Sequence, residues 1–278
     1  MSKAFIVHAT KKPDSVFSAV IAKLWIGQDA VIVNSNDLST ITKKTDITGS
    51  DFILVKTVFN EDALHELRQK AKSVTYIGCD EHHLKRLQEV YYDDKFSYLS
   101  IPNKSSAIAS WQLLFSNEPV PLVLTLLDDA YTGKYHHKDS NALRCALTQG
   151  LLTEKIVGNL LSAKAKGLST LIKKGKIIQR EHSRIAHSIV RLNSRTVNID
   201  GIPWLCINSP GAFFKDCMVK AKHNNVVVYY DTAGGRYLSF RSVSATGTEC
   251  IERFSNNPVP AGELFSILVD RNHRLAKI

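Results

Sequence analysis

The sequence has no apolar run long enough to cross a bilayer: the longest, Pro119–Leu127, is far shorter than the roughly 20 residues that a membrane-spanning helix needs. Its first residues, MSKAFIVHAT, lack the apolar core and cleavage site of a secretory signal. Cysteine is scarce, with five scattered residues and no Cys-x-x-Cys pair, which argues for a reducing compartment and against a disulfide scaffold or structural zinc. We therefore predict a cytoplasmic protein with no membrane partner.

Acidic residues are outnumbered by basic ones. The 36 Lys and Arg against 26 Asp and Glu leave a formal net charge of +10 at pH 7, which favours an anionic partner. Hydrophobic residues make up 44% and charged residues 22%, a composition typical of globular domains. A length of 278 residues allows two modest domains or one large domain.

Short apolar runs alternate with helical periodicity in the first half of the chain. The predicted strands are Ala4–Val7, Ala30–Val33, Phe52–Val55 and Val74–Ile77. The predicted helices include Val16–Trp25, Glu61–Lys72 and Ser105–Phe115, while Val120–Leu127 fits either a buried strand or a helix. Strands that alternate with helices predict a parallel sheet covered on both faces.

The second half changes character. Thr153–Asn193 is helical throughout, with Gly167 and Gly175 as positions that weaken the helix. Beyond it, Ala212–Lys222 predicts a helix, and five further runs predict strands: Val197–Ile199, Trp204–Ile207, Val226–Tyr230, Tyr237–Arg241 and Phe265–Val269. We therefore predict an α/β protein with a parallel-sheet N-terminal domain, a long linker helix and a smaller α/β C-terminal domain with a mixed sheet. The predicted limits are 1–150, 151–194 and 195–278.

The candidate site consists of the polar residues that follow these strands, because ligands of parallel sheets collect at the strands' carboxyl ends. These residues are His8 and Asp14, Lys56, the run Asp80-Glu81-His82-His83, and Asp128 with Asp129 after the Val120 run. Carboxylates and imidazoles are ligands for Mn²⁺, Mg²⁺ or Zn²⁺, and the set would suit a two-metal phosphoester hydrolase. Alternatively, Asp80–His83 caps a helix and its imidazoles are solvated.

The order of these motifs resembles that of the DHH (Asp-His-His) phosphoesterases over nearly the whole chain. Phe5–Trp25 resembles the family's opening strand, loop and helix, Tyr76–His83 its strand leading into Asp-His-His, and Leu126–Tyr135 its fourth motif. Ser239-Phe240-Arg241-Ser242 resembles the Ser-x-Arg-Ser strand of the DHH-associated C-terminal domain, and Ala261–Phe265 its terminal segment. The resemblance implies metal ligands at His8, Asp14, Asp80, Glu81, His82 and Asp128, and catalytic roles for Asp80, His82 and His83.

Several motifs depart from the family pattern. Thr10, Lys11 and Lys12 precede Asp14 where the family presents two aspartates, and Lys56 ends the strand where the family has a metal-binding aspartate. In the third motif, either Glu81 replaces the aspartate or one residue is inserted. Ser255–Pro260 stands in place of the Gly-rich His segment and contains no histidine. An ammonium group at Lys56 argues against two divalent ions, so we expect impaired hydrolysis.

The leading hypothesis is a divergent DHH-fold protein that binds a nucleotide, a short oligonucleotide or another phosphodiester in the cleft between its lobes, without a required cofactor. The predicted ligand-binding residues are Lys11, Lys12, Lys56, Arg236, Ser239 and Arg241. The alternative is an active phosphoesterase of the nanoRNase or phosphodiesterase type, dependent on Mn²⁺ or Mg²⁺ with rearranged ligands. A third class is a scaffold that engages nucleic acid or protein through its basic surface, although the scattered basic residues of the long helix favour a solvated linker. A homodimer is left open.

Overall fold

The computed structural model describes residues 3–9, 12–56, 61–78, 94–150, 152–162, 165–255, 264–270, 273 and 275. The chain divides by its internal contacts into an N-terminal unit, Met1–Ile178, and a C-terminal unit, Gln179–Ile278. The limits predicted from the sequence, at 150 and 194, stay a prediction. Each unit has its own sheet and its own apolar core.

The N-terminal unit is built on a five-stranded parallel sheet. Its strands are β1 (Ala4–His8), β2 (Val31–Asn34), β3 (Asp51–Val55), β4 (Ser73–Gly78) and β5 (Phe96–Ser100), in the order β2-β1-β3-β4-β5. The first four overlap the predicted apolar runs, whereas β5 was not predicted. His8 pairs in register with Val55, and Val55 with Ile77, so the carboxyl ends of β1, β3 and β4 meet at one edge.

Helices cover both faces of this sheet. The helices of this unit are α1 (Pro13–Ile26), α2 (Leu38–Lys44), α3 (Glu61–Lys70), α4 (Ser106–Leu114), α5 (Leu122–Tyr131), α6 (Ser140–Gln149) and α7 (Glu154–Leu161), and α8 (Ala165–Asn193) begins in it. One face packs Phe5 and Phe52 against Leu67 of α3, and the other packs Ile6 against Ala19 of α1. Burial on both faces explains why the strands are continuous apolar runs without alternation. The Val120 run belongs to helix α5 and not to a strand.

The C-terminal unit begins within α8, which continues unbroken through Gly175. A side chain at Gly175 would collide with the backbone of Ala142 on α6, so the glycine allows a close approach of two helices. The strands are β6 (Ser194–Ile199), β7 (Ile202–Asn208), β8 (Asn225–Thr232), β9 (Gly235–Ser242) and β10 (Leu264–Val269), in the order β10-β9-β8-β7-β6. The helices α9 (Phe214–Lys220) and α10 (Ala245–Ser255) complete the unit.

The sheet of the C-terminal unit is mixed, because β7 and β8 are parallel and the other neighbouring pairs are antiparallel. Leu238 and Phe240 of β9 pack with Cys250 and Ile251 of α10 on one face. On the other face, Val228 belongs to a core that includes residues of α8 and α9. The predicted fold class is therefore confirmed. None of the described helices is both long and apolar enough to span a membrane.

Candidate functional site

Asp14 lies in the first turn of α1 and is fully buried. Its Oδ1 accepts a hydrogen bond from the backbone N–H of Ala107 at 2.9 Å, and its Oδ2 accepts one from the N–H of Ser106 at 3.2 Å. Lys56 Nζ donates to the same Oδ2 at 2.7 Å. The positive N-terminal end of α4 and an ammonium group thus compensate the buried carboxylate together.

Lys56 follows β3 and has a backbone φ of 45°, in the left-handed region. This conformation costs a non-glycine residue about 1–3 kcal/mol, so the surrounding structure must stabilise it. Its backbone N–H donates to the Ile77 carbonyl at 3.2 Å, its ammonium pairs with Asp14, and Nζ lies 5.4 Å from the centre of the Tyr131 ring. Strained backbone of this kind concentrates at functional sites.

Tyr131 contributes its ring to this cluster. Burial, followed by the nearby Asp14 charge, raises the pKa of the Tyr131 phenol to about 12. The phenol therefore stays protonated at neutral pH and acts as a cation–π partner of Lys56, not as a general base.

Asp128, on α5, is held by the residues directly before α4. Its Oδ1 accepts a hydrogen bond from the backbone N–H of Ser105 at 2.6 Å, and its Oδ2 lies 3.6 Å from Lys104 Nζ. Ser105 also caps α4, because its hydroxyl oxygen accepts from the N–H of Ile108 at 3.5 Å. The backbone N–H groups of residues 105–107 therefore donate first to Asp128 and then to Asp14, and they place both acids at the start of one helix.

Asp129 has a different role from its neighbour. Its carboxylate accepts hydrogen bonds from the backbone N–H groups of His136 and His137 at 2.8 and 2.9 Å, and from the Ser140 hydroxyl at 2.6 Å. Burial opposes ionisation, but these hydrogen bonds outweigh it and lower the pKa of Asp129. Asp129 therefore fixes the connection between α5 and α6.

His8 ends β1, and its Nδ1 lies 2.9 Å from the carbonyl oxygen of Ala9. Burial lowers the pKa of His8. His8 borders a cleft of about 470 Å³, whose lining also includes the apolar residues Val20 and Ile32 and the polar residues Gln149 and Glu154. Among the described residues that line this cleft, His8 alone belongs to the predicted site.

The described acids of the candidate site lie against cationic and N–H groups. Among the residues that the structure describes, no three His, Cys, Asp or Glu side chains come together as metal ligands. Asp14 faces an ammonium and two amides, all of them hydrogen-bond donors, and Asp128 faces Lys104 and an amide. The predicted residues Lys11, Asp80, Glu81, His82 and His83 lie outside the described residues, and their roles stay a prediction. Lys12 is exposed directly before α1.

In the C-terminal unit, Ser239 and Arg241 lie two residues apart on one face of β9. The Ser239 hydroxyl is 2.8 Å from that of Ser266, and Nε of Arg241 is buried without a hydrogen-bond partner in the part of the chain that the structure describes. Arg236 lies on the opposite face of β9, where Asp231 holds it at 2.8 Å and its guanidinium lies 4.4 Å from the Tyr229 ring centre. The structure therefore brings Ser239 and Arg241 together and separates Arg236 from them.

Sequence reasoning missed several members of the cluster around Asp14. Backbone amides of Ser106 and Ala107 carry no signal of their own, because any non-proline residue supplies one. Ser105, at the start of the predicted helix Ser105–Phe115, is a recognisable N-cap, so the position of these amides followed from that helix although their partners did not. Lys104 and Tyr131 come together with the acids only through the packing of α4 and α5.

Comparisons with known proteins bear on the fold. No protein-family model and no curated protein matches the sequence. Among solved structures, the pGpG-specific phosphodiesterase PggH of Vibrio cholerae has a TM-score of 0.51 and 12% identity, over 99% of this chain and 97% of that one. RecJ of Thermus thermophilus, solved with Mn²⁺, has a TM-score of 0.51 and 11% identity, over 97% of this chain and 50% of that one. Both are DHH-family proteins. The chain therefore has the fold of the DHH phosphoesterases, and the predicted resemblance is confirmed at the level of the fold.

Proposed function

We propose that this chain is a DHH-fold protein that binds a nucleotide, a short oligonucleotide or another phosphodiester, and that its metal-dependent hydrolysis is impaired. The observation that carries the proposal is the 2.7 Å contact between Lys56 Nζ and Oδ2 of the fully buried Asp14. An ammonium group pairs with the acid that the family resemblance implies as a metal ligand.

This contact opposes metal chemistry for two reasons. A carboxylate oxygen that ligates a divalent ion must offer a free lone pair, and Oδ2 of Asp14 already accepts from Lys56 and from the Ser106 N–H. A divalent ion at Asp14 would also lie close to the Lys56 charge and be repelled by it. An ammonium group supplies positive charge but cannot lower the pKa of a bound water as a metal ion does.

Lys56 and Lys104 both suit phosphate binding. The side chains of Lys56 and Lys104 are 31% and 34% exposed, whereas their partners Asp14 and Asp128 are 0% and 9% exposed. Each lysine therefore contacts a buried acid on one side and solvent on the other. Lysine binds phosphate as a point charge, and both lysines belong to the cluster at the start of α4.

Further support comes from the relatives and from the C-terminal unit. PggH acts, by its name, on the dinucleotide pGpG. Arg241 lies on the same face of β9 as Ser239, with its Nε buried and unbonded among the described residues, and a guanidinium is the group that binds two phosphate oxygens at once. These observations favour a phosphodiester as the ligand class.

Calorimetry with Mn²⁺ tests the impaired chemistry. We expect no tight Mn²⁺ binding by the wild type, and a gain of Mn²⁺ binding in Lys56→Asp, which places a carboxylate at the end of β3. Lys23→Asp, at another lysine that pairs with an acid, is the matched control and should gain nothing. If the wild type binds two Mn²⁺ ions and releases nucleoside monophosphate from pGpG, the alternative of an active phosphoesterase holds.

Calorimetry with pGpG and with a short oligonucleotide, at low salt and without metal, tests ligand binding. We expect Lys56→Met and Lys104→Met each to weaken binding, and Lys23→Met to leave it unchanged. If the wild type binds none of these ligands, the binding half of the proposal is wrong, whatever the metal titration shows.

A further inference from the structure

A row of basic side chains lies along the part of α8 that belongs to the C-terminal unit. Arg180, Arg184, His187 and Arg191 follow one another at steps of four, three and four residues, and all four are exposed. Such steps keep side chains on one face of a helix. We name this set the α8 basic face.

The α8 basic face points away from the core of its own unit. Ala186 is fully buried, and Ile189 and Val190 pack against the core that contains Met218 of α9. At about 100° per residue, these three positions lie on the side of the helix opposite Arg184. Packing within the unit therefore accounts for the apolar side of α8 and leaves the basic face without a structural role.

The charge on this face is hardly compensated. Glu181 is the one acid between residues 179 and 193, and it lies 3.1 Å from the Arg184 guanidinium with both side chains more than half exposed. Such an exposed pair contributes little and is easily exchanged for another anion. Arg180 and Arg191 have no acidic partner among the described residues.

We infer that the α8 basic face binds the backbone of a single strand of nucleic acid. Arg180 and Arg191 are separated by about 16 Å at a rise of about 1.5 Å per residue. At the roughly 3.4 Å per nucleotide of a fully stacked strand this length spans about five nucleotides, and it spans fewer when the bases are unstacked. All three cations are arginines, whose planar fork suits phosphate oxygens better than the lysine ammonium does.

The residue types favour a single strand over a duplex or an acidic protein. His187 lies between Arg184 and Arg191 on the exposed face. Unpaired bases stack on imidazole rings and on guanidinium planes, whereas the bases of a duplex are enclosed and an acidic peptide has none. This surface lies on α8 and is distinct from the lysine cluster around Asp14, so it extends the proposed function from a short ligand to a longer strand.

Fluorescence anisotropy with a labelled single strand of roughly 12 nucleotides, titrated at several salt concentrations, tests the inference. For single strands, log K falls with log salt by about 0.7 per neutralised phosphate. The triple variant Arg180→Gln, Arg184→Gln, Arg191→Gln should therefore reduce the slope by about 2 and weaken binding about 100-fold near 0.1 M salt. His187→Ala should weaken binding at least about fivefold without changing the slope.

The matched control removes three exposed cations elsewhere in the same unit, as Lys220→Gln, Lys222→Gln, Arg253→Gln. We expect this control to retain the wild-type slope, and circular dichroism to show that both triple variants are folded. Three results would overturn the inference: an equal loss in the control, equal affinity for a duplex of the same length, or equal competition by polyglutamate or phosphatidylserine vesicles at matched charge. Calorimetry of pGpG with the α8 triple variant keeps this test separate from the lysine cluster, because that binding should be unchanged.

Discussion

Replacement of Lys56 by methionine removes the ammonium group and keeps most of the side chain's apolar stem. Asp14 would then remain fully buried with two backbone amides as its partners and without its counter-ion. An uncompensated buried carboxylate destabilises the folded state, because burial penalises its charge. We therefore expect Lys56→Met to lower the free energy of unfolding of the N-terminal unit.

The size of the effect follows from the exposure of the two partners. Loss of one partner from a fully buried pair costs about 3–5 kcal/mol, and loss of one from an exposed pair costs about 0–1 kcal/mol. Asp14 is fully buried, but the Lys56 side chain is 31% exposed, so we expect about 2 kcal/mol. At about 2–4 °C per kcal/mol for a domain of this size, the melting temperature should fall by about 4–8 °C.

The matched control is Lys23→Met. Lys23 pairs with Glu154 at 2.8 Å, a distance close to that of the Lys56 pair, but the Glu154 side chain is 52% exposed. Loss of Lys23 leaves a solvated carboxylate, so we expect a cost below about 1 kcal/mol. Urea unfolding of the single variants and of a double variant with Asp14→Asn should give a coupling energy of about 1–2 kcal/mol. If Lys56→Met is no more destabilising than Lys23→Met, the account of Asp14 is wrong.

Three further predictions concern stability and reactivity. Asp129→Asn should cost about 2 kcal/mol at pH 7, because it removes a charge-assisted acceptor. Because the folded pKa of Asp129 is lowered, its contribution to stability is present above the unfolded pKa and is lost as the pH falls through the folded pKa. The free energies of unfolding of the wild type and the variant, measured with urea, should therefore converge in acid. Gly175→Ala should destabilise the protein, because the new side chain would collide with α6. Gly167→Ala has open space around it and should stabilise the protein by about 1 kcal/mol. Equal changes in the melting temperature of the two variants would contradict the packing described. Alkylation at pH 8 should leave buried Cys206 and Cys217 unmodified by mass spectrometry, because burial raises both pKa values, that of Cys206 to about 11; rapid modification of either would refute this.

Most of the fold could be predicted because burial leaves a direct pattern in the sequence. The strands β1 to β4 pack against helices and contain short runs of mostly apolar residues, so these runs are recognisable in the sequence. The strand β5, with the sequence Phe-Ser-Tyr-Leu-Ser, carries two serines, so its apolar signal is weak. The Val120 run could not be assigned because a short apolar run suits a strand or a helix equally, and the helices packed around α5 decide the outcome.

The candidate site was predicted only where it depends on strand ends. Asp14 and Lys56 were selected because they follow β1 and β3, and the structure joins them in one ion pair. The contributions of Lys104 and of the α4 amides depend on how α4 approaches α1 and α5, which no local pattern encodes. Asp128 and Asp129 are adjacent and chemically identical, yet their tertiary contacts differ. Asp128 pairs with Lys104, whereas Asp129 accepts hydrogen bonds from the connection between α5 and α6.

The start of α4 joins Asp14 and Asp128 into one cooperative electrostatic unit. The backbone N–H groups of Ser105, Ser106 and Ala107 donate to the two carboxylates in turn, and Lys104 Nζ lies 3.6 Å from Asp128, so a change of partners at one acid disturbs the peptide groups that hold the other. Neutralising both acids should therefore cost less than the sum of the two single effects. A ligand that draws Lys56 away from Asp14 would shift these peptide groups and thereby weaken the contact between Lys104 and Asp128. The two lysines would then respond together to an incoming anion.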